Sequence, residues 1–391
     1  MIVLRASIIS QTILLLFVLF ISITTRAQDN SVQISPQTED AKVLGSTQTE
    51  YISPLVIQLN YQYGFLIPHA DEVFNVAGRH PQSLKLYFGW QLNSREVWDD
   101  CNCFPRLGFF LEYFNTDFED VLGRGYSLAG SFSYFFGIPS TYNFIIQGEA
   151  GLTYLTKPHD EDTHPENYSY STHLNYILAI GFGLNIRTGR HMELQFLVNI
   201  NHKSNAALLE PNGGINYVAL NLAVGYIPNP VEFAPMTHPD PYLTSEKKTR
   251  WDFIFFGGIS SMPYPKPGQA PMYGVNIVRS WQVARILALT GGAELEVNGR
   301  AKKLMEQYYT DVDKSFLRGS LQFGVEFLMG RTIFGVQLSY YVYREFAEKD
   351  DIYQRYSLMY RIFDHIYAGA SFKSYRNFAD YLSLRLTYSI E

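Results

Sequence analysis

Cysteine is nearly missing from this chain: among 391 residues only Cys101 and Cys103 carry a thiol, in a single Cys-Asn-Cys triplet. One Cys-x-Cys offers too few ligands for a zinc site, so no metal is expected there. In an oxidising compartment the pair can close a small disulfide, and two free thiols in a turn is the alternative. Charge is also scarce, at 17% of residues, and it is unbalanced, with a formal net charge of −6. That deficit of positive charge argues against a nucleic-acid partner. Beyond residue 27 no apolar run approaches the roughly 20 residues that a membrane helix needs.

What is present is aromatic. Tyr (29) and Phe (28) bring the aromatic fraction to 16%. Residues 1–27 read as a secretory signal peptide, with Arg5 ahead of an apolar core and Thr25-Arg26-Ala27 as a small-residue cleavage site. Residues 28–53 are polar and read as a flexible periplasmic lead-in. From residue 54 apolar and polar residues alternate with period two, the mark of strands with two unlike faces. One face is large and aromatic; the other is Gly, Ser, Gln, Asn and Glu. A soluble β-sandwich also alternates, but that second face suits a narrow polar interior rather than a dry core. The expected fold is all-β, a transmembrane antiparallel β-barrel.

Eight such strands fit in 54–226. A Pro-rich linker follows over 227–250, with Pro228, Pro230, Pro235, Pro239 and Pro241. About eight more strands fill 251–391. The chain therefore forms either two eight-stranded barrels in series or one sixteen-stranded barrel, and the proline linker favours two closures. Long connections follow the first, third, fifth and seventh strands, which places those ends outside the cell.

The hairpin over 191–226 holds the chemistry. Met192, Leu194, Phe196, Val198 and Ile200 share a face with His202 and Ser204. If Asn216 lies opposite His202, the antiparallel register also pairs Ile200 with Val218, Val198 with Leu220 and Phe196 with Leu222. A His, a Ser and an Asn then meet on a face turned to lipid. The bland reading places them in the headgroup layer, where polar groups are common. The chemical reading is that His202 activates the Ser204 hydroxyl toward an ester while Asn216 fixes the imidazole tautomer.

The string His202-Lys203-Ser204-Asn205-Ala206, followed by Pro211-Asn212-Gly213-Gly214-Ile215, resembles the signature of the PagL-type lipid A deacylases, the acyloxyacyl hydrolases of bacterial outer membranes. The sharp match covers about 15 residues, and the barrel-like match covers 54–226. The resemblance implies an eight-stranded barrel that removes a hydroxyacyl chain from lipid A of lipopolysaccharide by ester hydrolysis. It implies no cofactor. It makes His202 the general base and Ser204 the nucleophile, with Asn205 beside it, and it places the Ala207 amide and Asn212 around the oxyanion. Where that family has a Glu in its triad, this chain has Asn216; Glu210 is the alternative acid.

Other residues have weaker claims. His69 and His80 share a loop with Asp71 and Glu72, and His159, Asp160, Glu161, Asp162 and His164 share another; both read as solvated loops, or as contacts to headgroup sugars. Lys157 and Lys203 are candidates for lipid phosphates. Lys85, Glu112, Glu149 and Glu193 point inward, as an ion-pair network filling the lumen. In the second half Phe372-Lys373-Ser374-Tyr375 aligns with the His202 string and puts Phe372 at the base position, so no second active site is expected. The rival class is a non-enzymatic outer-membrane barrel (structural, adhesin or small porin), including a deacylase relative that has lost activity.

Overall fold

In the computed structural model, the described residues are 53–391, apart from 95–96, 99–102, 139, 232, 234–247, 264–267, 285, 309–313 and 376–377. The expected signal peptide, nearly all of the expected lead-in, Cys101 and most of the proline-rich stretch lie outside them. Cys103 is disulfide-bonded.

The strands form two separate closed barrels. The first comprises β1 (Leu55–Leu66), β2 (Gln82–Gln91), β3 (Arg106–Asn115), β4 (Arg124–Phe136), β5 (Tyr142–Leu155), β6 (Leu174–Arg187), β7 (Met192–Ser204) and β8 (Ile215–Tyr226). The second comprises β9 (Thr249–Met262), β10 (Gly268–Ala284), β11 (Leu287–Asn298), β12 (Leu317–Met329), β13 (Thr332–Arg344), β14 (Ile352–Phe363), β15 (Ile366–Tyr375) and β16 (Phe378–Ile390). Each strand pairs with its neighbour in sequence. The β1–β8 ladder closes the first barrel through pairs such as Tyr61 with Leu222, and β9–β16 closes the second. Closure satisfies every edge, which is what allows a sheet to stand in lipid. The sixteen-stranded alternative is thereby excluded.

The alternation has the inverted sense of a membrane barrel. In β1, Leu59, Tyr61, Tyr63 and Phe65 are exposed while Gln58, Asn60 and Gln62 are buried. In β7, Phe196 and Val198 are exposed while Gln195, Asn199 and Asn201 are buried. An outward band of this kind is stable against hydrocarbon, and a barrel carrying it spans the outer membrane.

Ion pairs cross the first lumen. Lys85 meets Glu149 at 2.5 Å, Lys203 meets Glu112 at 2.5 Å, and Arg106 meets Glu193 at 2.6 Å. Two expectations change here. Lys203 does not reach a lipid phosphate: it sits on the polar face of β7, fully buried, and its charge is compensated by pairing with Glu112. The interior is also not polar throughout. Leu66, Phe114, Leu155 and Tyr217 from the strands pack with Val76, Val121, Leu122 and Tyr170 from the outer loops into a dry plug. Those loops fold over the barrel mouth, and their apolar residues have no other place to hide from water.

The second barrel repeats the pattern. Lys373 on its penultimate strand pairs with Glu296 on its third at 2.6 Å, as Lys203 on β7 pairs with Glu112 on β3. The likeness between the halves lies in the lumen charges. One helix, α1 (Gly299–Tyr308), follows β11. Asn298 Oδ1 accepts the Ala301 amide at 2.7 Å at its start, and Ala301, Leu304 and Met305 form its buried stripe.

Candidate active site on the outer wall

The β7–β8 ladder pairs His202 with Asn216, and also Ile200 with Val218, Val198 with Leu220 and Phe196 with Leu222. On its other side His202 pairs with Leu178 of β6. Leu178, Val198 and Leu220 are all exposed on the outer wall. Strand periodicity therefore puts His202, Ser204 and Asn216 on the outward side of the wall at the outer end of the barrel, where Ser204 is buried and His202 and Asn216 are half-buried.

Their side chains form one hydrogen-bonded line. Ser204 Oγ lies 2.8 Å from His202 Nε2, and Asn216 Oδ1 lies 2.6 Å from His202 Nδ1. The line continues to a residue from another loop: Asn216 Nδ2 lies 2.8 Å from His69 Nδ1. An amide nitrogen only donates, so His69 Nδ1 accepts and is unprotonated. That bond turns the Asn216 oxygen toward His202, which must then donate from Nδ1. The lone pair of His202 is left on Nε2, facing the Ser204 hydroxyl. Burial first, and then the nearby His202, hold the His69 imidazole below the usual histidine range, in keeping with its acceptor role.

The loop after Ser204 is held by its own polar groups and by the loop that precedes β6. Asn212 Oδ1 accepts the Asn205 amide at 3.0 Å, Asn205 Nδ2 donates to Leu209 O at 2.7 Å, and Ser171 Oγ donates to Pro211 O at 2.5 Å. Ala206 and Ala207 both take positive φ, at 55° and 60°. For alanine this costs about 1–2 kcal/mol per residue, so surrounding contacts must hold it. The Ala206 amide points at Ser204 Oγ, 3.3 Å away. Gly214 has φ +75°, and a Cβ there would stand 2.9 Å from His202 Cε1, so the imidazole packs where a side chain would otherwise be.

Two family models match this chain in succession. One, described as lipid A 3-O-deacylase (PagL), covers residues 83–225; the other, described as acyloxyacyl hydrolase, C-terminal domain, covers 249–391. The chain belongs to the PagL family. The first match runs from β2 to β8 of the barrel that carries His202 and Ser204, and the second spans the other barrel. Among curated proteins none matches. Solved structures similar to the chain include the outer membrane enzyme PagL, at 19% identity and TM-score 0.30, covering 42% of this chain and 97% of that one. They also include Neisserial surface protein A, at 14% identity and TM-score 0.30, covering 46% and 98%. The Acinetobacter baumannii outer membrane protein Omp33 aligns at 9% identity and TM-score 0.17, covering 87% and 98%. Scores this low carry no weight for fold or function.

The remaining candidates of this PagL-family chain separate cleanly. Glu210 is engaged elsewhere: its Oε1 accepts from Ser261 Oγ of the second barrel at 2.8 Å. Lys157 donates to Asp120 O at 3.2 Å. Asp160 accepts the Thr163 and Asp162 amides, which lower its pKa, in an exposed turn bridged to His164. No group of His, Cys, Asp and Glu arranged to hold a metal occurs among the described residues. In the second barrel Phe372 lies beside Lys373 on β15, and Ser374 Oγ donates to Gln354 Oε1 at 3.3 Å. His69 is the site residue that sequence reasoning left among the loops. It meets Asn216 across 147 residues of chain, and no local spacing encodes that approach.

Proposed function

We propose that this protein is an outer-membrane esterase that hydrolyses an ester-linked hydroxyacyl chain from lipid A. The observation that carries this reading is the 2.8 Å contact between His202 Nε2 and Ser204 Oγ on the lipid-facing wall. Ionisable residues on the membrane-facing part of a protein are rare and mark functional sites where they occur, which supports this reading.

In this mechanism the acyl chain lies along the outer wall, with its ester beside Ser204. Ser204 Oγ attacks the carbonyl carbon as His202 Nε2 takes its proton. The tetrahedral oxyanion is met by the Ala207 amide and by Asn212, whose Oδ1 is occupied by the Asn205 amide and whose Nδ2 is left to donate. Collapse breaks the ester bond, and His202 returns its proton to the sugar oxygen that leaves. Water, deprotonated by His202, then attacks the acyl-serine; collapse releases the hydroxy fatty acid, and His202 returns the proton to Ser204 Oγ. Asn216 holds the Nδ1–H tautomer throughout, without supplying the charge a carboxylate would supply. None of these steps calls for a metal or cofactor.

The test is turnover by purified protein of lipid A bearing ester-linked hydroxyacyl chains, followed as released hydroxy fatty acid. Release is expected from the unaltered chain and is expected to vanish in Ser204→Ala and His202→Ala. A specific feature favours a second reading, a family member without activity: Asn216 stands where the resemblance implies a Glu. Absence of release from the unaltered, correctly inserted protein would select it.

A further inference from the structure

The β9–β10 hairpin of the second barrel ends against the loop that follows Ser204. Ser261 and Gln269 are ladder partners near its outer tip. The Ser261 amide donates to Ala207 O at 2.7 Å, and Ser261 Oγ donates to Glu210 Oε1 at 2.8 Å. Gln269 Nε2 donates to Leu208 O at 3.0 Å. One cross-strand pair thus grips three positions of the loop. The hairpin is itself held from behind by α1: Arg300 Nη1 donates to Ser261 O at 3.0 Å and Lys303 Nζ donates to Gln269 O at 2.5 Å. Arg300 is fixed in turn by Glu348 at 3.2 Å, and Met262, Ala270 and Leu304 pack beneath.

The loop needs such support. Ala206 and Ala207 sit at positive φ, which alanine does not keep unless its surroundings impose it. The bond at the Ala207 carbonyl comes from Ser261, and the amide of the same residue is one of the two donors assigned to the oxyanion. The two groups lie in adjacent peptide planes that share the Ala207 Cα, so a bond that holds the carbonyl restrains the amide through the φ and ψ of Ala207. The Ser261 contact therefore bears on where the donors of this short loop point.

We infer that Ser261 and Gln269 are positioning residues for ester hydrolysis. They make the second barrel a brace that aims the Ala206–Glu210 loop at the carbonyl beside Ser204. This rests on the hydrolase reading. It gives the second barrel, with Phe372 at the position of a base, a part in the reaction of the first.

The experiment compares the full chain with the double variant Ser261→Pro, Gln269→Ala, which removes the Ser261 amide hydrogen, its hydroxyl and the Gln269 side-chain amide together, measuring kcat, KM and backbone hydrogen exchange over 205–210. The expected result is a kcat lowered roughly tenfold or more, as small misplacements of catalytic groups produce. KM should stay within about twofold, because the acyl-binding wall is untouched. Exchange should quicken at 205–210 and nowhere in the strands, and Ser261→Thr in the otherwise unaltered chain, which keeps the hydroxyl and the amide, should retain kcat. Unaltered kcat in the double variant would overturn the inference, and so would a loss accompanied by faster exchange throughout the barrels. A chain without Ser204-dependent turnover overturns the hydrolase reading itself, and is recognised before any variant is compared.

Discussion

Asn216 Oδ1 lies 2.6 Å from Nδ1 of His202, its partner across the β7–β8 ladder. The amide fixes the tautomer by geometry alone. Asn216→Ala is therefore expected to lower kcat by about 10²-fold or more with little change in KM, since a misoriented or wrongly protonated imidazole fails in the transition state rather than in binding. Initial rates on lipid A check this, and a kcat within error of the unaltered chain would remove Asn216 from the mechanism.

His69 accepts from Asn216 only while its Nδ1 is unprotonated. Its folded pKa is lowered by burial and by His202, so as pH falls the unfolded chain takes up the proton first. The stability due to neutral His69 is full above about 6.5, the ordinary histidine value, and declines as pH drops below it toward the lowered one. Thermal midpoints of the unaltered chain and of His69→Gln, which cannot titrate, should therefore differ most near neutral pH and converge as acid is added. His202 titrates in both proteins and largely cancels. A gap between the two that widens with acid would contradict the assignment.

Gly214→Ala tests the packing of the imidazole. The added Cβ would stand 2.9 Å from His202 Cε1 at a backbone φ of +75°. The ring or the backbone at 214 must shift, which disturbs the aligned His202–Ser204 pair, so turnover is expected to fall by on the order of 10²-fold while both barrels stay folded. Far-ultraviolet circular dichroism in detergent, recorded beside the rates, separates loss of geometry from loss of fold.

Lys203 stands between the two site residues in sequence but serves the lumen. Lys203→Met strands the buried Glu112 carboxylate and is expected to cost about 3–5 kcal/mol of stability. Adding Glu112→Leu should recover much of that loss. Denaturant unfolding in detergent reads both. If Lys203→Met left stability unchanged and weakened lipid A binding instead, the phosphate role would be restored.

Much of this was legible in the chain because barrel strands write their two faces in alternate residues. The apolar positions from Phe196 to Ile200, matched against Val218 to Leu222, specify the register, and the register delivers His202 opposite Asn216. The closure into two barrels followed the proline-rich break. Less legible were features that depend on which loop leans on which. His69 comes from the first outer loop, and Glu210 bonds to Ser261, a residue of the other barrel. Loop directions follow from tertiary packing, which has no period to read. The Lys203 side chain was misread for a different reason: a basic residue beside the site invited a lipid phosphate, although its odd position on β7 already assigned it to the lumen.

The most direct measurement is mass spectrometry of lipid A from an outer membrane that holds this protein. Loss of one hydroxyacyl group is predicted with the unaltered chain, and intact lipid A is predicted with Ser204→Ala at equal insertion. Intact lipid A with both proteins, or equal deacylation by both, would contradict a Ser204 nucleophile on the membrane-facing wall.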